Sequence, residues 1–149
     1  MTEENASSTR CLDREDYREI HAALAAWSEE HDEPIPSFSH AKEADLDVLV
    51  QLPQQRFFGR AAYSTLEEKA AIIFYTINKR QIFLNGNKRM STLSLLVFLR
   101  INGKQLDVSP DELTKKALWL ALTDPLEFPA IKHELVEWIR GHLTDRNER

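Results

Sequence analysis

The run Gln81-Ile82-Phe83-Leu84-Asn85-Gly86-Asn87-Lys88-Arg89 brings together residue types that can hold an anion. Gly86 has no Cβ, so its backbone can approach a ligand closely. Asn87 can donate a hydrogen bond, and Lys88 and Arg89 supply positive charge. Apolar spacing starts a helix at about Asn87, and the first turn of a helix has free N–H groups at the positive end of its dipole. Lys and Arg in a first turn are electrostatically unfavourable by themselves. An anion bound there offsets that cost, and phosphate is the natural candidate. The other reading is a plain Gly-Asn turn with both cations in water, and the residues alone leave both open.

The surrounding pattern is mostly helical. Asp13 is placed to cap a first helix that carries Tyr17, Ile20, Leu24 and Trp27 on one face. Pro34 and Pro36 end that region. A second helix is expected from Ala41 to about Gln51, before Pro53. Gln54 to Tyr63 has two aromatics, one Gly and no helical period, and reads as a loop or short hairpin. Ser64-Thr65-Leu66-Glu67 reads as a capping box. The third helix it starts turns Leu66, Ala70, Ile73, Phe74 and Ile77 to the core and stops near Asn78 to Arg80. The fourth runs from about Asn87 to Asn102, with Gly103 as its stop. Its middle, Leu93 to Leu99, is apolar on nearly every side, as in a helix buried at a domain centre. Ser109-Pro110-Asp111-Glu112 caps a fifth helix that reaches about Thr123. A sixth, after Asp124-Pro125, carries Ile131, Leu135, Trp138 and Ile139. The expected architecture is one all-α domain of about six helices around a central buried helix. It spans residues 13–143, between a loose leader (1–12) and a polar tail (144–149) expected to fray.

Composition narrows the class. With 149 residues, 42% hydrophobic and 29% charged, the chain suits one globular domain with a real core. A net charge of −5 argues against a large nucleic-acid footprint. The single cysteine, Cys11, excludes an intrachain disulfide and fits a reducing compartment. No apolar run approaches the ~20 residues of a membrane span, and the polar, acidic start is unlike a secretory signal. The cytoplasm is the expected location.

Phe83, Asn85, Gly86, Asn87, Lys88 and Arg89 stand in register with the motif H-x-F-x-[D/N/E]-[A/G]-N-[G/K]-R, and the chain resembles the Fic/Doc family. The resemblance extends through Tyr63 to Ala70 before the motif and Leu96 to Gly103 after it, and covers roughly Leu12 to Leu143. Lys88 in the variable position, and Thr92 where AMP-transferring members often carry a second arginine, make the chain similar to the Doc-type toxins. The resemblance implies the Fido fold, with a short β-hairpin flap over Phe57 to Tyr63 that aligns a target peptide by strand addition. It implies ATP and Mg²⁺ as cofactors. Phe83 would anchor the loop, Asn85 would be a metal ligand, and Gly86, Asn87, Lys88 and Arg89 would hold nucleotide phosphates. Asn87 and Arg89 would also serve catalysis. Asn85 offers Mg²⁺ a neutral amide oxygen, so the metal should bind less tightly than with a carboxylate. Arg56 and Arg60 would face an acidic target or a phosphate, unless they are ordinary surface residues.

Gln81 departs from the pattern, because the family's histidine belongs there. That histidine takes the proton from a target hydroxyl as it attacks a phosphate of ATP. Gln has no titratable group near neutral pH, and losing a general base typically costs about 10²–10⁴-fold in rate. Phosphoryl transfer leans on positioning and charge, which leaves room for residual activity. The change fits a lineage that gave up transfer, a lineage with an altered reaction, or an introduced substitution that silences a toxic protein. No sequence feature brings His21, His31, His40, His133 or His142 to the loop, and each reads as a surface or half-buried residue.

Many Fic proteins silence themselves with a helix of the form [S/T]-x-x-x-E-[G/N]. Thr144 to Glu148 fits five positions and fails at Arg149, which reads as a chance match. Doc-type relatives are instead restrained by a separate antitoxin, whose helix fills an apolar groove. Trp27, Trp119 and Trp138 are candidates for such a groove, although core positions fit them better. The leading expectation is therefore a toxin-type transferase that moves phosphate or AMP from ATP to a protein hydroxyl, impaired here by Gln81. Its target in Doc-type relatives is a translation factor. The alternative is a non-catalytic nucleotide- or protein-binding regulator. A DNA-binding helical protein comes third.

Overall fold

The computed structural model describes residues 9–146. The outer parts of the expected leader and tail lie outside them. Six α-helices make up the body: α1 (Arg14–Glu30), α2 (Glu43–Gln51), α3 (Leu66–Arg80), α4 (Asn87–Ile101), α5 (Pro110–Ala121) and α6 (Phe128–His142). Two small antiparallel ladders join them. Strand β1 (Arg56–Phe57) pairs with β2 (Arg60–Ala61), and β3 (Lys104–Leu106) pairs with β4 (Leu143–Asp145). The protein is all-α as expected, with the hairpin before α3 in place. No helix among the described residues is long and apolar enough to cross a membrane.

Reciprocal capping boxes set three helix starts. Asp13 caps α1 with Asp16 answering, and Ser109 caps α5 with Glu112 answering. The box at α3 falls one residue later than the sequence suggested: Thr65 is the cap and Glu68 the responder. Glu68 wins because its carboxylate also receives Ser64 N–H and O–H and pairs with Lys132 at 3.2 Å.

The core centres on the α3–α4 hairpin. Ala70, Ile73, Phe74 and Ile77 of α3 and Met90, Leu95, Phe98 and Leu99 of α4 are fully buried. Tyr17 of α1, Leu46 and Leu49 of α2, Leu120 of α5 and Leu135 and Ile139 of α6 close around them. Helix α4 is central as expected, but Leu93, Leu96 and Val97 are only partly buried, so α3 shares that position.

The described parts of the expected leader and tail are tied into the fold. Leu12 is buried in the core, and Asn102 clamps Arg10 by accepting its N–H at 2.9 Å and donating to its C=O at 3.0 Å. Thr144 and Asp145 belong to β4, where Asp145 pairs with Lys104. The backbone groups of that segment find a ladder partner, which polarity alone does not reveal. Thr144 therefore starts no helix, and the rest of the Thr144 to Glu148 match, from Asn147 on, lies outside the described residues.

The tryptophans do not sit where expected. Trp27 and Trp119 are exposed, and Trp138 is partly buried. Each exposed ring lies under a cation instead, Trp27 under Arg89 and Trp119 under Lys116.

Candidate functional site

The motif loop is built between two helix ends. Helix α3 stops at Gln81, which is left-handed at φ 49°. That region costs a residue with a Cβ roughly 1–2 kcal/mol, and strain of this kind clusters at functional sites. The loop is tied down from outside: Lys42 N–H donates to Ile82 C=O at 2.8 Å, and Arg80 pairs with Asp45 at 2.6 Å. Ile82 and Phe83 turn inward and are buried, so they anchor it. Phe83 packs against Phe38 and against His21.

His21 is a correction. It is 3% exposed, not a surface or half-buried residue, and its ring lies 5.5 Å from that of Phe83. Burial holds its pKa below the ordinary histidine value, which keeps it neutral in the core. It buttresses the loop from behind and does not line the pocket. His31, His40 and His133 are exposed, as expected for surface residues.

Gly86 caps α4 with φ 79°, a conformation that favours glycine. A Cβ there would meet Ile35 and Leu24 at 3.5 and 3.6 Å, ordinary van der Waals contact, so the positive φ and not a lack of space favours glycine. No side chain caps this end of α4, and its first turn holds no acidic residue. The sequence thus builds a helix N-terminus whose free N–H groups face a pocket of about 530 Å³.

Gln81, Asn85, Gly86, Asn87, Lys88 and Arg89, all six predicted site residues, line that one pocket. Their side chains divide the work. Asn87 is committed to the loop: its Oδ1 accepts Phe83 N–H at 3.0 Å and its Nδ2 donates to Phe83 C=O at 2.7 Å. What it offers a ligand is its backbone. Asn85 Oδ1 accepts Gly86 N–H at 2.7 Å and is exposed. Lys88 is exposed, and among the described residues no carboxylate lies within ion-pair distance of it. Arg89 is paired with Glu33 at 3.1 Å and lies 4.9 Å from the Trp27 ring centre. Arg89 thus forms a salt bridge inside the pocket.

Sequence reasoning missed Glu33, Pro34, Ile35, Asn78 and Ala121 in the lining. Asn78 left a trace: it is a polar residue one position after Ile77 on the core side of α3. It is 4% exposed, donates to Ala117 C=O at 3.1 Å, and keeps its Oδ1 without a partner. Glu33, Pro34 and Ala121 reach the pocket through tertiary packing, for which the sequence has no local signal.

The flap segment forms a hairpin whose turn residues Phe58 and Gly59 both have positive φ. Phe57 and Phe58 are exposed, unlike the buried phenylalanines of an ordinary loop. Arg56 braces the turn by donating to Gly59 C=O. Among the described residues no group of three or more His, Cys, Asp or Glu is placed to hold a metal ion.

A curated relative, Toxin Doc of Mycolicibacterium smegmatis, is 38% identical to this chain over 61 residues, 41% of this chain and 47% of that protein. The match thus spans about half the length of that relative. Residues 11–99 match the sequence profile of the Fic/DOC family, from the end of the leader through most of α4. That stretch holds the buttressed loop, the glycine-capped helix and the hairpin before α3, and the chain belongs to the Fic/DOC family.

Proposed function

We propose that this chain binds the phosphates of ATP at the N-terminus of α4 as a Doc-type toxin-like protein, and that Gln81 impairs transfer of phosphate or AMP to a protein hydroxyl. The observation that carries the reading is the uncapped, glycine-led first turn of α4, which opens with Lys88 and Arg89 into one pocket. Backbone N–H groups at a helix N-terminus are ready-made phosphate donors. A guanidinium adds a forked, charge-assisted contact. The commitment of Asn87 to Phe83 keeps those N–H groups aimed without a ligand, and such preorganisation is where phosphoryl-transfer catalysis gains most.

The residues fit a polyphosphate better than they fit a metal. Asn85 supplies one neutral oxygen, so Mg²⁺ would depend mainly on phosphate oxygens for its shell. When bound, Mg²⁺ would neutralise developing charge on the phosphates. Gln81 lines the pocket at the place of the missing base. It can orient a target hydroxyl by hydrogen bonding but cannot take its proton. The exposed aromatics of the flap suit an extended target segment that adds as a strand. A separate antitoxin is the expected restraint, the target is a protein such as a translation factor, and the cytoplasm is the expected site of action.

Gln81 itself favours a second reading, a non-catalytic regulator that binds nucleotide or a protein. One experiment separates the two. The chain and a Gln81→His variant are incubated with labelled ATP and a cell extract. Labelling of a protein by Gln81→His alone supports a transferase short of its base. Labelling by neither removes the transferase reading. Labelling by both overturns the role given to Gln81.

A further inference from the structure

Two contacts of Arg89 are unused by the phosphate reading. Its guanidinium donates to the Glu33 carboxylate at 3.1 and 3.4 Å, and it lies 4.9 Å from the Trp27 ring centre. Both partners come from the C-terminal end of α1, Trp27 in its last turn and Glu33 just past the cap residue His31. The two are held differently. The His31 ring stacks on Trp27 at 4.1 Å and 19°, and its Nδ1 is hydrogen-bonded to Trp27 C=O at 2.8 Å. The indole is therefore fixed in place although it is exposed. Glu33 is fixed by its backbone, with N–H donating to Ser28 C=O at 2.7 Å, while its carboxylate stays half exposed.

An aromatic face and a carboxylate act differently on a guanidinium. The face sets the plane of the group without using its N–H donors. The carboxylate here engages one terminal nitrogen, Nη2, which a forked phosphate contact would also use. Glu33 and Arg89 line the same pocket as Gly86 and Asn87, so a phosphate on the α4 turn meets an Arg89 whose Nη2 is already paired. We propose that Trp27 is a positioning residue for Arg89, and that Glu33 is the resident anion an incoming phosphate displaces. This rests on the phosphate reading of the site and adds how that site is gated. It makes Glu33 a brake: weakly charged ligands fail to dislodge it, whereas a polyphosphate succeeds because it also engages the helix N-terminus. After displacement, Trp27 keeps the guanidinium aimed at the pocket.

The test is calorimetric titration of the full chain with ATP and Mg²⁺, with melting curves confirming that each variant is folded. Exposed ion pairs are weak, so Glu33→Gln should tighten binding by about two- to fivefold. Glu30→Gln, an equal charge change on an exposed residue of the same helix end, should leave affinity unchanged. In an Arg89→Met background, Glu33→Gln should change nothing, an outcome that a general charge effect would not give. Trp27→Leu should weaken binding by about two- to fivefold, and Trp27→Phe should recover part of the loss. Unchanged or weaker binding by Glu33→Gln, or a gain that survives in Arg89→Met, overturns the role of Glu33. Unchanged binding by Trp27→Leu overturns the role of Trp27. If neither the wild type nor Glu33→Gln binds ATP, the nucleotide reading falls and takes this one with it. ATP binding by the wild type with no gain in Glu33→Gln overturns this proposal alone.

Discussion

Asn87 is expected to hold the motif loop together, and Asn87→Ala is the perturbation that measures it. The substitution removes two hydrogen bonds at once, Phe83 N–H to Oδ1 at 3.0 Å and Nδ2 to Phe83 C=O at 2.7 Å. Each such bond nets about 1 kcal/mol, and a buried backbone group left without a partner costs about 1–3 kcal/mol. Phe83 is 2% exposed, and water can replace the lost partners only in part. The expected cost is about 2–4 kcal/mol, which lowers the melting temperature of a domain this size by roughly 5–15 °C. Thermal unfolding followed by circular dichroism reads the shift, and urea titration with an unchanged slope confirms that it is stability that moved. Asn87→Asp separates the brace from the binding site. Its carboxylate still accepts Phe83 N–H, opposes Phe83 C=O, and gains about 0.3–1 kcal/mol from the helix dipole. It should therefore be less destabilising than Asn87→Ala while weakening ATP binding, because its charge stands on the first residue of the helix turn proposed to receive the phosphate. If Asn87→Ala melts where the wild type does, the brace is not holding the loop, and the preorganised N-terminus loses its physical basis.

Two further outcomes follow from the same geometry. Burial holds His21 below its ordinary pKa of 6.5, so the fold resists a proton that the unfolded chain accepts. The cost is absent above the unfolded value and grows as pH falls through the window below it. Melting temperature should therefore drop between about pH 7 and about pH 5, and His21→Phe should flatten that drop. Equal slopes in the two proteins would rule His21 out as its source. The carboxylates held low, among them Glu68 and Glu112, lose their contribution only in more acid solution. At the flap, Phe58 is fully exposed and has φ 52°, so it bears left-handed strain with no burial in return. Phe58→Asn suits the mirror-image hairpin turn better and should stabilise the protein by about 0.5–1 kcal/mol in urea; a loss of stability would mean that the ring has an unseen partner.

How much of this could be read from the sequence depended on how local each signal was. Helix starts were legible because a cap and its responder lie three residues apart, and even the slip from Ser64 to Thr65 came from two overlapping candidates for one box. The candidate site was legible as a set of residues because glycine, asparagine and two cations stand together at one helix start, and all of them line one pocket. Trp27 looked like core because it continues the spacing of Tyr17, Ile20 and Leu24. It is exposed because in the last turn of α1 the residue turned inward is Ser28, not Trp27. His21 was misjudged in the opposite direction, because its neighbours Phe38 and Phe83 arrive from distant parts of the chain. The β3–β4 ladder was invisible for the same reason, since each strand has only three residues and its partner is far off in sequence.

The same division explains the site. The half proposed to face phosphate is one continuous stretch, residues 85–89, so a motif could mark it. Its counterweight, Glu33 and Trp27, sits more than fifty residues away and has no motif of its own. A motif therefore reports which groups are available to a ligand, and the fold decides which of them are already in use. Arg89 is where the two accounts meet. Read from the family resemblance it would hold a phosphate; in the structure it is paired with Glu33. If phosphate binds there as proposed, the affinity of the site is a difference between two anions competing for one guanidinium, a competition in which the uncharged Gln81 takes no part.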